Sequence, residues 1–217
     1  MYVPRPNALT DDTELRALVA TVGAGELVTP GPDGYPLATR LPLVWEGDVV
    51  RMHMARANPH WHSLEPGTPA LVVVTGPEAY VSPGYYPSKA EHGRVVPTWN
   101  YSAVQLRGRA TVHEDAEWMR AQVERLTDAM EAGREAPWAV ADAPEPFVAQ
   151  QLRAIVGVEI TVEAVTGKAK LSQNRTAEDR AGVVAGLRAT GLPRDAQVAD
   201  QMADQLAHHT DPSAPGT

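Results

Sequence analysis

Apolar residues recur along this chain at two different spacings, and each spacing predicts its own kind of element. Leu15, Leu18, Val19 and Val22 lie three or four apart behind Asp11 and Glu14, a D-x-x-E capping signal, and Gly23 follows. That pattern predicts a short amphipathic helix on the underlying core. From Gly25 onward the period falls to two. "GELVT", "YPLATRLPLVW" and "VVRMHMA" are separated by Asp33-Gly34 and by Glu46-Gly47-Asp48, both hairpin signals. After Gly67 come "PALVVVTG", "AYVSP" and "VVPTWNYSAVQLRGRATVH", and later "VGVEITVEAVTGKAKL". Five or six strands with tight turns and no long helix between them predict an antiparallel barrel, mainly β with peripheral helices (α+β).

The helical period returns over Asp115 to Gly133, with Met119, Val123, Leu126 and Met130 on one face. A Pro-rich connector, "APWAVADAPEP", leads to a short helix ending near Ile155. Two further helices are expected over Thr176–Ala189 and Asp195–Ala207. The expected organisation is a barrel domain over 1–175, a helical extension over 176–207 and a disordered tail over 208–217, whose "HHTDPSAPGT" holds few apolar residues.

Composition narrows the chemistry. The chain has 217 residues, 43% of them hydrophobic, enough for one sizeable core. Lys and Arg number 19 against 27 Asp and Glu, a formal net charge of −8, which opposes a phosphate backbone or an anionic membrane. There is no cysteine, which removes disulfides, thiolate nucleophiles and Cys-based metal sites. The N-terminal "MYVPRPNALTDD" lacks the charged and apolar regions of a signal peptide, and runs such as "ALVVV" are too short to span a bilayer. A cytoplasmic protein with no membrane partner is the expectation.

The densest chemistry lies in "HMARANPHWHSL", His53 to Leu64. Three readings compete. A metal site is disfavoured, because His60 and His62 would lie about 200° apart on a helix and no HExxH or carboxylate triad accompanies them; no metal is expected. An anion cradle fits a strand ending at His53-Met54-Ala55, followed by a helix beginning at Asn58-Pro59 with free backbone N–H groups, and Arg56 or His53 adding charge. The third reading has Asn58 as a plain cap, His53 as a packed strand residue, and His60 and His62 in solvent. Local grounds alone favour the third.

"HMARANPHW" stands together with "ATRLPL", "GPEAYVSPGYYPSK", "VVPTWNY", "LRAIVGVEI" and "KLSQNR". In this order, across about Met1 to Leu187, these motifs resemble the PaiB family of FMN-binding split-barrel proteins. The resemblance implies a PNP-oxidase-like split β-barrel, an antiparallel six-stranded Greek-key barrel that forms a homodimer and holds FMN at the subunit boundary. It also implies where FMN lies. The isoalloxazine runs along Thr39, Arg40, Leu41 and Pro42, and the phosphate sits at His53, Met54, Ala55, Arg56 and Asn58. Trp99 and Asn100 approach the flavin, and Lys170 and Gln173 come from the end of the last strand. Three positions depart from the family's usual residues. Arg40 stands where His is frequent, and Ala169 and Tyr85 stand where Trp is frequent. The loss of two large aromatics is expected to open space for a small-molecule substrate.

PaiB proteins are described as negative transcriptional regulators. Here the helix–turn–helix-like segment Thr176–Ala207, turning at "TGLP", carries Asp195, Asp200 and Asp204 in its second helix, and "DAQVADQMADQL" has no Lys or Arg. Phosphate would repel such a helix, so DNA is a disfavoured partner. The sequence favours a redox-competent flavoprotein, an FMN-dependent oxidoreductase. The alternatives are an FMN-responsive repressor and a non-catalytic flavin or haem binder. No catalytic residue is identified.

Overall fold

Alternation decides which face of each strand is inside. The computed structural model describes residues 1–210, with side chains through Leu206. Its strands are β1 (Ala8–Leu9), β2 (Ala24–Pro30), β3 (Pro36–Glu46), β4 (Val49–Ala55), β5 (Thr68–Val81), β6 (Thr98–His113) and β7 (Ile155–Lys170). They form one seven-stranded sheet in the order β1-β7-β4-β3-β2-β5-β6. A further β6–β7 pairing joins the two sides, so β7, β4, β3, β2, β5 and β6 make a closed ring of six. Strands β2, β3 and β4 are consecutive antiparallel neighbours and β5 returns beside β2, which is the Greek-key order.

The chain divides into two compact units. The barrel unit comprises 11–74 and 104–166. Leu27, Leu41, Leu43, Val50, Met52, Val72, Leu106, Val158 and Ile160 are buried there, the inward members of alternating strands. The strands approach closely: a Cβ on Gly108 would lie 2.0 Å from the Thr161 carbonyl oxygen. The turn chemistry is as expected, with Gly34 at φ 86° and Gly47 at φ 56° closing the two hairpins. Helix α1 (Asp12–Val22) is capped by the Asp11 carboxylate, which accepts from Glu14 N–H at 3.0 Å, and ends on Gly23 at φ 64°.

In sequence after these come α2 (Ser88–His92), α3 (Ala116–Glu131), α4 (Glu145–Arg153), α5 (Ala177–Ala189) and α6 (Pro193–Thr210). Helices α3 and α4 belong to the barrel unit, where Met119, Val140, Val148 and Leu152 form a satellite core with Trp118 packed on it. Trp118 lies flat against β7 where Gly157 leaves room, because a Cβ there would meet its ring at 2.1 Å.

The second unit comprises 1–10, 75–103 and the chain from Gly167 onward. Its core joins Ala79, Val81, Tyr86, Ala169 and Leu171 to Val183, Leu187, Val198 and Met202 of α5 and α6. The Thr176 hydroxyl caps α5 by accepting from Asp179 N–H at 3.2 Å.

Several elements differ from the sequence-based expectation. The segments expected as two strands around Gly76-Pro77 are the single strand β5, 14 residues long. The expected helix at Asn58 is a five-residue 3-10 turn, Pro59–Ser63. Strand β1 and helix α2 are too short for a periodic signal. Helix α6 begins two residues before Asp195 and continues to Thr210, so the expected tail falls partly in a helix. Its last residues, 211–217, lie outside the described part.

Candidate functional site

In the barrel unit two of the sequence-predicted residues, Thr39 and Asn58, meet at one buried histidine. Asn58 ends the stretch after β4 and caps the 3-10 turn, its Oδ1 accepting from His60 N–H at 3.0 Å. The turn carries His60 inward until it is 3% exposed. There its Nε2 lies 2.8 Å from Thr29 Oγ1 and its Nδ1 lies 2.8 Å from Thr39 Oγ1. Asn58 Nδ2 also donates to Thr39 Oγ1, at 3.4 Å. On β3, Thr39 is half-buried, Arg40 and Pro42 are exposed, and Leu41 points into the core. Thus Leu41 and, on β4, Met54 are barrel-core residues whose side chains face away from any ligand on the outer surface.

Three of the amides in this segment are already engaged within the protein. The N–H groups of Arg56, Asn58 and His60 donate to Ala154 O, Ala55 O and Asn58 Oδ1 respectively. A single 3-10 turn has too few aligned peptides for an appreciable dipole. The positive charge here belongs to side chains. Arg56 donates through Nε to Arg153 O at 3.0 Å and through Nη2 to Ile155 O at 3.3 Å, and it pairs through Nη1 with Glu114. Three of its five N–H groups are engaged and two remain. Arg40 pairs with Glu26, directly opposite on β2, through one nitrogen. His53 is largely covered, its Nδ1 has no protein partner, and burial lowers its pKa. It therefore contributes no charge near neutral pH.

The local reading that leaves His60 in solvent does not hold: His60 is buried at the centre of the network, because the turn that Asn58 caps drives its ring between two strands. Both His53 and His60 titrate below the ordinary histidine value of 6.5, through desolvation. Between those lowered values and about 6.5 the unfolded chain binds more protons than the folded one. This contribution to stability is complete above about pH 6.5 and is lost as pH falls through the folded values. Guanidinium midpoints measured from pH 8 to 5 should therefore decline below about 6.5. A His60→Gln chain should decline less steeply, and parallel slopes would show that His60 is not the group titrating.

In the other unit the structure brings together Trp99 and Lys170. Lys170 Nζ donates to Thr98 Oγ1 at 2.5 Å and to Trp99 O at 2.9 Å. Desolvation lowers its pKa most; Tyr101 raises it and Lys168 lowers it further. The Trp99 indole is 40% exposed, donates to Glu78 Oε2 at 3.2 Å, and has its ring 6.3 Å from that of Tyr80. Asn100 is fully buried, exchanging hydrogen bonds with Ser172 Oγ at 3.0 and 3.2 Å and donating to Met202 Sδ. Gln173 closes the end of β7, accepting from Leu171 N–H and donating to Ala169 O. Asn100 and Gln173 thus serve the internal structure of this unit, their side chains bonded within the protein. The space expected from Tyr85 and Ala169 is filled: Ala169 is in the core, and Tyr85 packs on Gly182 and Gly186 of α5.

A closed six-stranded barrel of this order is a split-barrel fold. The family described as "Putative FMN-binding domain" matches residues 1–164. The Bacillus subtilis (strain 168) "Protease synthase and sporulation protein PAI 2" is 32% identical over 210 residues, covering 95% of this chain and 98% of its own. Two solved structures share the fold. The "FAD and Heme binding protein from Mycobacterium smegmatis" has TM-score 0.58 and 20% identity, over 81% of this chain and 78% of its own. The "Flavocytochrome Anf3 from Azotobacter vinelandii" has TM-score 0.56 and 19% identity, over 83% and 78%. The chain belongs to the PaiB family of FMN-binding split-barrel proteins, and FMN is the cofactor of its domain. Among the described residues no helix is long and apolar enough to cross a membrane.

Proposed function

We propose that this chain holds FMN against the Thr39–Pro42 stretch of β3, with the phosphate toward Arg56, and acts as a cytoplasmic flavin-dependent oxidoreductase. The observation that supports this reading is the outer face of β3, where Arg40 and Pro42 are both exposed and Arg40 is engaged by Glu26 through one nitrogen only. The donor set fits the ligand. A phosphate needs cationic N–H donors, and Arg56 has two free while Arg40 keeps four, one being engaged by Glu26. FMN supplies the hydride or electron chemistry when bound. The chain orients it, and Arg40 stabilises negative charge on the ring. The exposed Tyr80–Trp99 pair is apolar surface that a second copy covers in a homodimer, with Lys170 beside it.

A regulatory role is the second reading, the one the PaiB resemblance implies; the Bacillus subtilis relative is named for protease synthase and sporulation. Charge opposes direct DNA binding by α6. Its apolar side, Val198, Ala199 and Met202, is buried; Asp200 pairs with Arg188 at 2.8 Å, and Asp195 and Asp204 add more negative charge. The two solved neighbours named for haem give a third reading, a binder without turnover.

One set of measurements separates these readings. FMN added to the apo-protein should bind at about one per chain, and a pyridine nucleotide or other donor should bleach it anaerobically, with return on admitting oxygen. DNA binding should be weak and collapse between about 50 and 200 mM salt. Tight, sequence-specific DNA binding at about 150 mM salt, with FMN that no donor reduces, would reverse the preference. A Soret band on adding haemin, without FMN uptake, would support the third reading.

A further inference from the structure

An open groove of about 720 Å³ lies on the barrel unit, lined by the β2–β3 hairpin and by β5, β6 and β7. Its surface is mainly apolar. Val28 and Leu71, paired across β2 and β5, are half-buried in it, and Pro30, Pro36 and Pro69 stand around them. Tyr35, in the hairpin, is 75% exposed and lines it as well. Proline has no N–H, so three of these positions offer apolar rings and no backbone donor. The six strands close into a ring, which leaves a peptide no free edge to pair with. A small molecule is what fits, and the volume falls within the range of such pockets, about 300–1,000 Å³.

Two arginines line the groove, and they differ in what they already hold. Arg109 donates through Nε to Glu163 Oε1 at 3.0 Å and through Nη1 to Gly67 O at 3.4 Å. Arg107, two residues earlier on the same face of β6, is exposed and has no hydrogen bond, ion pair or ring contact among the described residues. All five of its N–H groups are available, and the planar fork of a guanidinium matches a carboxylate. Glu163 also lines the groove and limits the charge that can enter. A dianion would be repelled by it, whereas a monoanion needs only the one cation. The backbone beneath is fixed. A Cβ on Gly108, between the two arginines, would lie 2.0 Å from Thr161 O, and one on Gly31 would lie 2.1 Å from Tyr35 O.

We propose that this groove binds an aromatic monocarboxylate, with its carboxylate on Arg107 and its ring against Tyr35, Val28 and Leu71. A flat ring buries apolar area against a tyrosine and aliphatic side chains together. The site is distinct from the cations offered to FMN, because neither Arg40 nor Arg56 lines the groove. It does share their sheet: Val28 pairs with Ala38, and one step along the same face Glu26 pairs with Arg40. An occupant would therefore lie on the same face of the barrel as a flavin held at Arg40 and Pro42, the place a substrate of that flavin would take. Its binding does not require that placement.

The test uses the full chain with cinnamate as the probe and cinnamamide as its uncharged counterpart, each titrated by ligand-observed NMR. Cinnamate should bind at least about fivefold more tightly than cinnamamide, the effect of a charge-assisted hydrogen bond discounted for an open groove. Raising salt should narrow that gap. Arg107→Gln, which has no internal partner to lose, should bring the two probes to the same affinity, and Tyr35→Ala should weaken both alike. FMN affinity should be unchanged in Arg107→Gln, so that an error in placing the flavin and an error in placing this ligand read out separately. Equal affinity of the two probes for the parent chain, or a preference that survives Arg107→Gln, would overturn the proposal. Displacement of cinnamate by riboflavin would give the groove to the flavin, and loss of binding as the chain concentration rises would give it to a second copy; either would overturn it too.

Discussion

Exchanging Gly157 for alanine should cost about 3 kcal/mol of folding stability, the upper part of the range for forcing a methyl into a packed site. The added Cβ would lie 2.1, 2.7 and 2.8 Å from three carbons of the Trp118 ring. No backbone strain is involved, since Gly157 is not among the positive-φ residues; the cost is steric. Trp118 cannot tilt freely, because it is stacked on His113 with centroids 4.2 Å apart and planes 6° from parallel. It must leave β7 and carry the start of α3 with it. Gly157 pairs with His53 on β4, and Arg56 is bonded to Ala154 O and Ile155 O close by. FMN affinity should fall as well. Guanidinium denaturation and near-UV circular dichroism measure the two consequences. Adding Trp118→Leu to Gly157→Ala should recover part of the loss, since the smaller side chain makes room. A double variant no more stable than the single one would place the strain elsewhere.

What the sequence made legible was local. Asp11, Asp115 and Thr176 cap the helices they precede, each accepting from the N–H three residues on. Gly34 and Gly47 close the hairpins because the turns need φ > 0. Alternation located strands β2, β3 and β4. Where a decision depended on a distant element, the sequence was silent. Gly76-Pro77 reads as a break, yet the strand continues through it, because neighbouring chain rather than local propensity holds β5 extended. Asn58-Pro59 is a valid helix start, but nothing in the stretch specifies that only one 3-10 turn follows. His60 was underrated for the same reason: its threonines lie 31 and 21 residues earlier, on two strands. An alanine in place of a tryptophan suggested empty space at Ala169, whereas α5 and α6 fill it.

Removing the Arg56 side chain should weaken FMN binding about tenfold or more while leaving riboflavin almost unchanged. A charge-assisted hydrogen bond is worth roughly 1.5–3 kcal/mol, and about 1.4 kcal/mol is a factor of ten. Riboflavin lacks the phosphate, so it has nothing to lose at Arg56. The structure separates this effect from that of Asn58. Asn58 keeps its Oδ1 on His60 N–H and its Nδ2 on Thr39, so Asn58→Ala disturbs the ring side of the site and should weaken both ligands. Glu114 supplies the opposite sign. It holds Arg56 Nη1 in an ion pair, and Glu114→Gln removes the competing anion, so FMN should bind more tightly than to the parent chain. Both members of that pair are partly exposed, so raising salt should shrink the gain. Titrations of FMN and riboflavin against the three variants at low and high salt decide the matter. If Arg56→Ala weakens both flavins equally, or Glu114→Gln weakens FMN, the phosphate is not held by Arg56.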